Sequence, residues 1–159
     1  MTVTIRTATP ADVPLILRFV RELAEFEREP DAVKATEPML EEALFGDSPA
    51  AEAMIAEVGG DPAGFALFFH NFSTWTGKRG LYLEDLYVTP AARGAGVGTA
   101  LLRHLAGIAL DRGCGRFEWA VLDWNAPAIA FYRAMGAVGM DEWRVQRVAG
   151  EALAKLAGR

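Results

Sequence analysis

The chain has 159 residues, 52% hydrophobic and 23% charged, which fits one globular domain over residues 1–159 with room for a core. Its net charge of −5 speaks against a nucleic-acid binder, whose footprint is a basic patch, and suits a small cationic ligand better. With one cysteine, Cys114, and two histidines, His70 and His104, neither a disulfide nor a dedicated metal centre is expected; with no apolar run near ~20 residues and no signal-peptide layout, the protein is expected to be cytoplasmic and away from membranes.

VTIRT (3–7) alternates as a short strand. Thr9 stands at an N-cap position, with Pro10 first and Asp12 in the first turn; Val13, Ile16, Leu17, Val20, Leu23 and Ala24 then recur at helical spacing. A second helix is predicted from about Pro38 to Phe45, stopped by Gly46. EAMIAEV (52–58), AGFALFFHN (63–71) and GLYLEDLYV (80–88) read as an antiparallel meander with short turns between them. After a glycine-rich turn, Val97, Leu101, Leu105 and Ile108 form the apolar side of a helix ending near Gly113. RFEWAVL (116–122) is another strand, Asn125 caps a helix through Met135, and a last strand near 142–148 precedes a short terminal helix. Helices interleave with strands only in part, which predicts an α/β fold with a mixed, mostly antiparallel sheet and helices on both faces.

Gly94, Gly96 and Gly98 crowd the start of the third long helix. Glycine inside a helix costs about 1 kcal/mol against alanine. The stretch is therefore either a tight strand-to-helix turn or backbone N–H groups bared for an anion such as a phosphate. A Walker loop lacks its lysine here, because Val97, Gly98 and Thr99 follow Gly96. A dinucleotide turn needs G-x-G-x-x-G after a first strand, whereas this spacing is G-x-G-x-G after a fourth.

The remaining pattern, R-x-x-G-x-G from Arg93 through Gly96 to Gly98, resembles the pyrophosphate loop of the GCN5-related N-acetyltransferases, which bind acetyl-CoA. Together with YLEDLYV, VLDWNAPAIAFY and the downstream GA and EW, it makes nearly the whole chain similar to the diamine acetyltransferase group, which includes spermidine/spermine and thialysine acetyltransferases. The LDWN wording leans towards the thialysine side. The resemblance implies the family's fold, acetyl-CoA as co-substrate and a homodimer. It also implies that Arg93, Gly94, Ala95, Gly96, Val97, Gly98 and Thr99 hold the pyrophosphate, the helix dipole adding its positive end. Leu86, Tyr87 and Val88 then offer backbone groups to the pantetheine arm, and Asn125, Ala126, Pro127 and Ala128 complete the cofactor contacts. Asn125 has a sufficient structural reason as an N-cap as well.

Acetyl transfer from a thioester to an amine makes physical demands that these residues can be matched to. An alkylammonium of pKa near ~10 must lose a proton, and the departing thiolate benefits from gaining one. By the family match, Tyr132 is the acid that donates to the CoA sulfur; the alternative is a core tyrosine beside Phe131. Glu84 and Asp85 are adjacent carboxylates in an apolar strand, which alternation sends to opposite faces. The match gives Glu84 the acceptor's proton, directly or through water, while Asp85 reads as an ion-pair partner for an arginine. Phe26 and Glu27 match the aromatic–acid pair lining the acceptor site, with phenylalanine where the polyamine enzymes commonly carry tyrosine. Glu118, Trp119 and Asp141 (or Glu142) are further candidates for the acceptor wall. The reading is an N-acetyltransferase for a small primary amine. A protein or peptide acetyltransferase, a non-catalytic acyl-CoA-binding module and a nucleotide-binding module are its alternatives.

Overall fold

The computed structural model describes residues 2–159. Five strands, β1 (Val3–Thr7), β2 (Glu52–Val58), β3 (Asp61–Ser73), β4 (Lys78–Val88) and β5 (Arg116–Trp119), lie in that order in one sheet. The first four pair antiparallel and β5 joins β4 in parallel. The helices are α1 (Val13–Phe26), α2 (Glu37–Phe45), α3 (Val97–Asp111), α4 (Ala126–Ala134) and α5 (Glu151–Leu156). The chain divides into two compact units, the first running to Trp124 and the second from Asn125 to Arg159.

In the first unit the period-2 pattern decides which helix covers which face. Ala53, Ile55, Phe65, Leu67 and Tyr87 form one core with Ile16 and Phe19 of α1 and Leu44 of α2. The fully buried Phe19 stacks on Phe65 at 5.7 Å and tilts on Tyr87 at 5.6 Å. Gly64, next to Phe65, turns the other way; a Cβ there would come within 3.3 Å of Val97 of α3. Helices therefore cover both faces, as the sequence predicts.

The start of α1 is fixed by one acid. Buried Asp12 accepts from both terminal nitrogens of Arg6, at 2.7 and 2.8 Å, and from the Thr9 backbone N–H at 2.7 Å. The Arg6 bonds hold its carboxyl down at about 2. A 3-10 turn, Pro10–Asp12, thus precedes α1 where a single helix is expected from Pro10.

Two expectations for the end of the sheet need correction. The strand expected over 116–122 stops at Trp119, where β4 changes register. The strand expected near 142–148 does not form: no residue between α4 and α5 is in a strand. Alternating apolar residues supply strand propensity, yet a strand exists only with a ladder partner, and Val138 and Val145 stay exposed.

Candidate active site

A fault in the β3–β4 ladder sets the geometry. Leu67 pairs with Asp85, but Phe68 pairs with Leu83, so Glu84 is an extra residue with no partner on β3. In a regular strand Leu83 and Asp85 would share a face. Here Leu83 follows Phe68 to the α3 side and Asp85 follows Leu67 to the α1 side. The bulge, not simple alternation, aims the acids, and Glu84 and Asp85 are electrostatically coupled to each other and to Glu27 at the end of α1.

That grouping corrects the expectation that Asp85 pairs with an arginine. Burial first, then the charges of Glu84 and Glu27, push the Asp85 carboxyl up to about 6. Glu27 is raised too, by partial burial and then by Glu84. Glu118 of β5 stands beside Tyr82, whose phenol is raised by burial and by Glu84 and Glu118. Its neighbour Trp119 pairs with Leu83 and stacks edge-on against Phe117 at 4.9 Å, on the α3 side. Of the two, Glu118 alone shares the acidic face.

The same point of the sheet leaves backbone uncovered. The β4–β5 ladder ends at Leu83 and Trp119, so Glu84 to Val88 keep β3 on one side and no β5 residue on the other. Leu86, Tyr87 and Val88 lie in this splayed segment. The Tyr87 hydroxyl donates to Glu22 at 2.9 Å, and its side chain is buried in the α1 core.

After β4 the chain makes a 3-10 turn, Pro90–Ala92, and enters the glycine loop. Gly94 and Gly96 have φ of +85° and +82°, a region that side-chain-bearing residues rarely occupy, and no atom lies within 4 Å of where a Cβ would stand on either. Gly96 is the N-cap of α3, so the amides of Val97, Gly98 and Thr99 are first-turn groups without intrahelical acceptors. Ala95 differs: its N–H donates to the Ala92 carbonyl at 3.2 Å. A left-handed glycine cradle at the positive end of a 15-residue helix, open in front, fits a pyrophosphate. Arg93 turns back from the cradle, its Nε donating to the Val88 carbonyl at 3.3 Å and its guanidinium 5.5 Å from the Phe26 ring.

Phe26 continues the row. Its ring lies 6.3 Å from Trp124, and the guanidinium of Arg28 lies over the other ring of the pair, 3.9 Å from the Trp124 centroid. The end of α1 therefore touches both the opening of the glycine loop and the last residue of the first unit.

The acetyltransferase (GNAT) family model matches residues 17–137. The chain belongs to that family. This acetyltransferase is 42% identical to a thialysine N-epsilon-acetyltransferase of Sus scrofa, over 99% of this chain and 98% of that one. It is 34% identical to the L-ornithine N5-acetyltransferase NATA1 of Arabidopsis thaliana, over 94% and 85%. Among solved structures, an integron cassette protein from the mobile metagenome of V. cholerae superposes with a TM-score of 0.82 at 30% identity, covering 100% of this chain and 99% of that one. Family membership makes the protein an N-acetyltransferase and acetyl-CoA its co-substrate.

The other sequence candidates of the acetyltransferase lie in the second unit. Asn125 caps α4, its side-chain oxygen accepting from the Ala128 N–H at 3.3 Å, with Ala126 and Pro127 opening the helix. Tyr132 is half-buried on α4 with its ring 5.5 Å from Phe131. Asp141 is exposed in the stretch between α4 and α5. Sequence reasoning missed that Asp85 joins Glu84, although two acids side by side in an apolar strand signalled an irregularity. It also passed over Arg28, which no local pattern marks. Among the described residues no cluster of three or more metal-ligating side chains occurs, and no helix is long and apolar enough to cross a membrane.

Proposed function

We propose that this acetyltransferase moves the acetyl group of acetyl-CoA onto a terminal primary amine of a small diamino compound, a polyamine, thialysine or a related aminoalkyl molecule, by direct transfer in a ternary complex. The observation that carries this reading is the meeting of Glu27, Glu84 and Asp85 where β4 loses β5. Glu84 raises the pKa of both Glu27 and Asp85, and acids so crowded lower their mutual repulsion by taking in an ammonium group. The relatives named for thialysine and ornithine support the same substrate class.

In this reading the thioester supplies the activated acetyl group, and the protein's own groups do the positioning and the proton handling. Gly94 to Thr99 cradle the pyrophosphate at the head of α3, with Arg93 bracing the loop against β4. The open edge of Leu86, Tyr87 and Val88 takes the pantetheine arm, and Asn125 with Ala126, Pro127 and Ala128 adds contacts from α4. Glu84 draws the proton from the reacting ammonium, directly or through water. Tyr132 donates a proton to the departing sulfur. Glu27 receives the distal ammonium, with Phe26, Glu118 and Asp141 around the acceptor. Both compact units act as one domain over 1–159, an inference supported by a family match that runs through the boundary between them. The exposed Val138, Met140, Val145 and Val148 support a homodimer.

A panel of amines with acetyl-CoA, read by released thiol, tests the reading. Polyamines, thialysine, lysine, aminoalcohols and an N-terminal peptide belong in it. Diamino compounds should lead, and initial-rate lines at varied acetyl-CoA should intersect; a peptide substrate as the best acceptor, or parallel lines, would overturn the corresponding part.

A further inference from the structure

Tyr87 carries a hydroxyl that packing alone does not call for. Its side chain is buried against Phe19 of α1, ring to ring at 5.6 Å. A phenylalanine would fill the same place, whereas a buried phenol adds a polar group that must find a partner. The partner is Glu22, whose Oε1 accepts from the Tyr87 hydroxyl at 2.9 Å across 65 residues of sequence. Burial, and then the bond to Glu22, push the phenol above its ordinary range, so it stays protonated and remains the donor. The second oxygen of Glu22, Oε2, lies 3.2 Å from Nε of Arg18, one turn earlier on α1. The Arg18 guanidinium in turn lies 5.2 Å from the Phe19 centroid. Tyr87, Glu22, Arg18 and Phe19 thus close a ring that ties β4 to α1.

The ring meets β4 where the strand has lost support on one side. Among the described residues the ladder to β5 ends at Leu83 and Trp119, so the strand beyond is held by β3 alone. Successive residues there point their backbone groups in opposite directions. The Thr89 N–H donates to the Ala63 carbonyl at 2.9 Å, which turns Thr89, and Tyr87 two residues before it, towards β3. Gly64 agrees, because a Cβ on it would collide with the Tyr87 carbonyl oxygen. Leu86 and Val88 therefore face the open side. The residue between them is the one anchored to α1 by its side chain.

We propose that this ring is a positioning device for the co-substrate: the Tyr87 hydroxyl, held by Glu22, fixes the open edge of Leu86 and Val88 where the pantetheine arm is to lie. It does from α1 what β5 does for the earlier part of the strand. This rests on the placement of that arm under the proposed function. The Tyr87 side chain touches no reacting atom and acts through the backbone of its neighbours. A strand braced on one side only samples several positions, and ordering it on binding costs affinity. The ring meets that cost before acetyl-CoA arrives.

The test is a double-mutant cycle read in KM for acetyl-CoA, at a saturating concentration of the leading amine from the panel above. Tyr87→Phe keeps the aromatic contact with Phe19 and deletes the bond to Glu22. A bond to a charged group is worth about tenfold to a hundredfold. Tyr87→Phe should therefore raise KM for acetyl-CoA about tenfold, with kcat changed by less than about threefold. Glu22→Ala, at a half-buried position, should do the same, and the double variant should be no worse than either, because all three lack one and the same bond. Glu22→Gln keeps an acceptor for the phenol and should retain most of the wild-type KM although it loses the charge pair with Arg18. Thermal unfolding of each variant separates positioning from stability, since a structural role alone lowers Tm without a selective rise in this KM. Hydrogen exchange with and without CoA tests the placement itself: CoA should slow the amides of Leu86 and Val88 in the wild type. Protection by CoA together with an unchanged KM in Tyr87→Phe, or additive effects of the two single variants, overturns the role of the ring and leaves the placement of the arm standing. If CoA protects neither amide, the placement falls and the ring with it.

Discussion

Asp85→Asn is expected to stabilise the ligand-free protein at neutral pH. Asp85 titrates at about 6 against an ordinary 3.8, a difference that corresponds to about 3 kcal/mol held against the folded state once the group is ionised. The direction follows from proton uptake: the folded state binds this proton more tightly than the unfolded chain. The penalty is therefore absent below about pH 4 and develops as pH rises through 6. Asparagine removes the charge but keeps a polar group that needs partners, at about 1–3 kcal/mol if they are lacking. A net gain of up to about 2 kcal/mol near pH 7.5 is expected, or up to about 8 °C in Tm for a chain of this size. Thermal unfolding of wild type and variant across pH, without acetyl-CoA or amine, reads it directly. The two Tm curves should converge towards about pH 4, diverge between about pH 4 and 6, and keep a constant separation above that. A variant no more stable at neutral pH, with a curve parallel to the wild type, would refute the crowding of Glu27, Glu84 and Asp85. The same variant should acetylate diamines poorly, which makes the acids a case of stability given up for binding.

Gly96→Val places a branched side chain at φ +82° and in the open space before α3, where the pyrophosphate is proposed to sit; its displacement should raise KM for acetyl-CoA by about tenfold or more, measured by initial rates on a variant shown to be folded by circular dichroism. Tyr132→Phe keeps the ring beside Phe131 and removes its proton, so kcat should fall roughly 10²–10⁴-fold with KM for acetyl-CoA little altered; full activity would return the residue to a packing role. Glu27→Gln should lower the diamine-to-monoamine ratio of kcat/KM by about tenfold or more. Equal losses on both amines would reduce Glu27 to shaping the pocket.

Much of the sheet was legible because its signals are local. β1 and β2 fall on the alternating runs, and α2 runs from its Thr36 cap to Gly46, one residue longer than its apolar pattern. The glycine loop was legible because only glycine adopts φ near +80° without strain. The acidic face was not. A bulge inserts one residue into the ladder, and a sequence read at period 2 carries no mark of where β3 and β4 fall out of step, so Glu84 and Asp85 were assigned opposite faces. Trp119 was grouped with Glu118 for want of the same register. The strand expected near 142–148 failed for a different reason: its pattern describes a surface able to pair, and pairing depends on a partner elsewhere.

The splay of β4 from β5 has a consequence for the life of the protein as well as for its chemistry. A row of backbone donors and acceptors without a neighbour is a template on which other chains can add, the usual beginning of intermolecular β-association. From Glu84 to Tyr87 this acetyltransferase carries such a row, ending where the Val88 carbonyl accepts from Arg93. On the proposed placement, the amide-bearing arm of acetyl-CoA lies along it as a substitute strand, drawing on the very groups that would otherwise recruit a stray segment. On that placement the bound co-substrate covers an edge that is open without it.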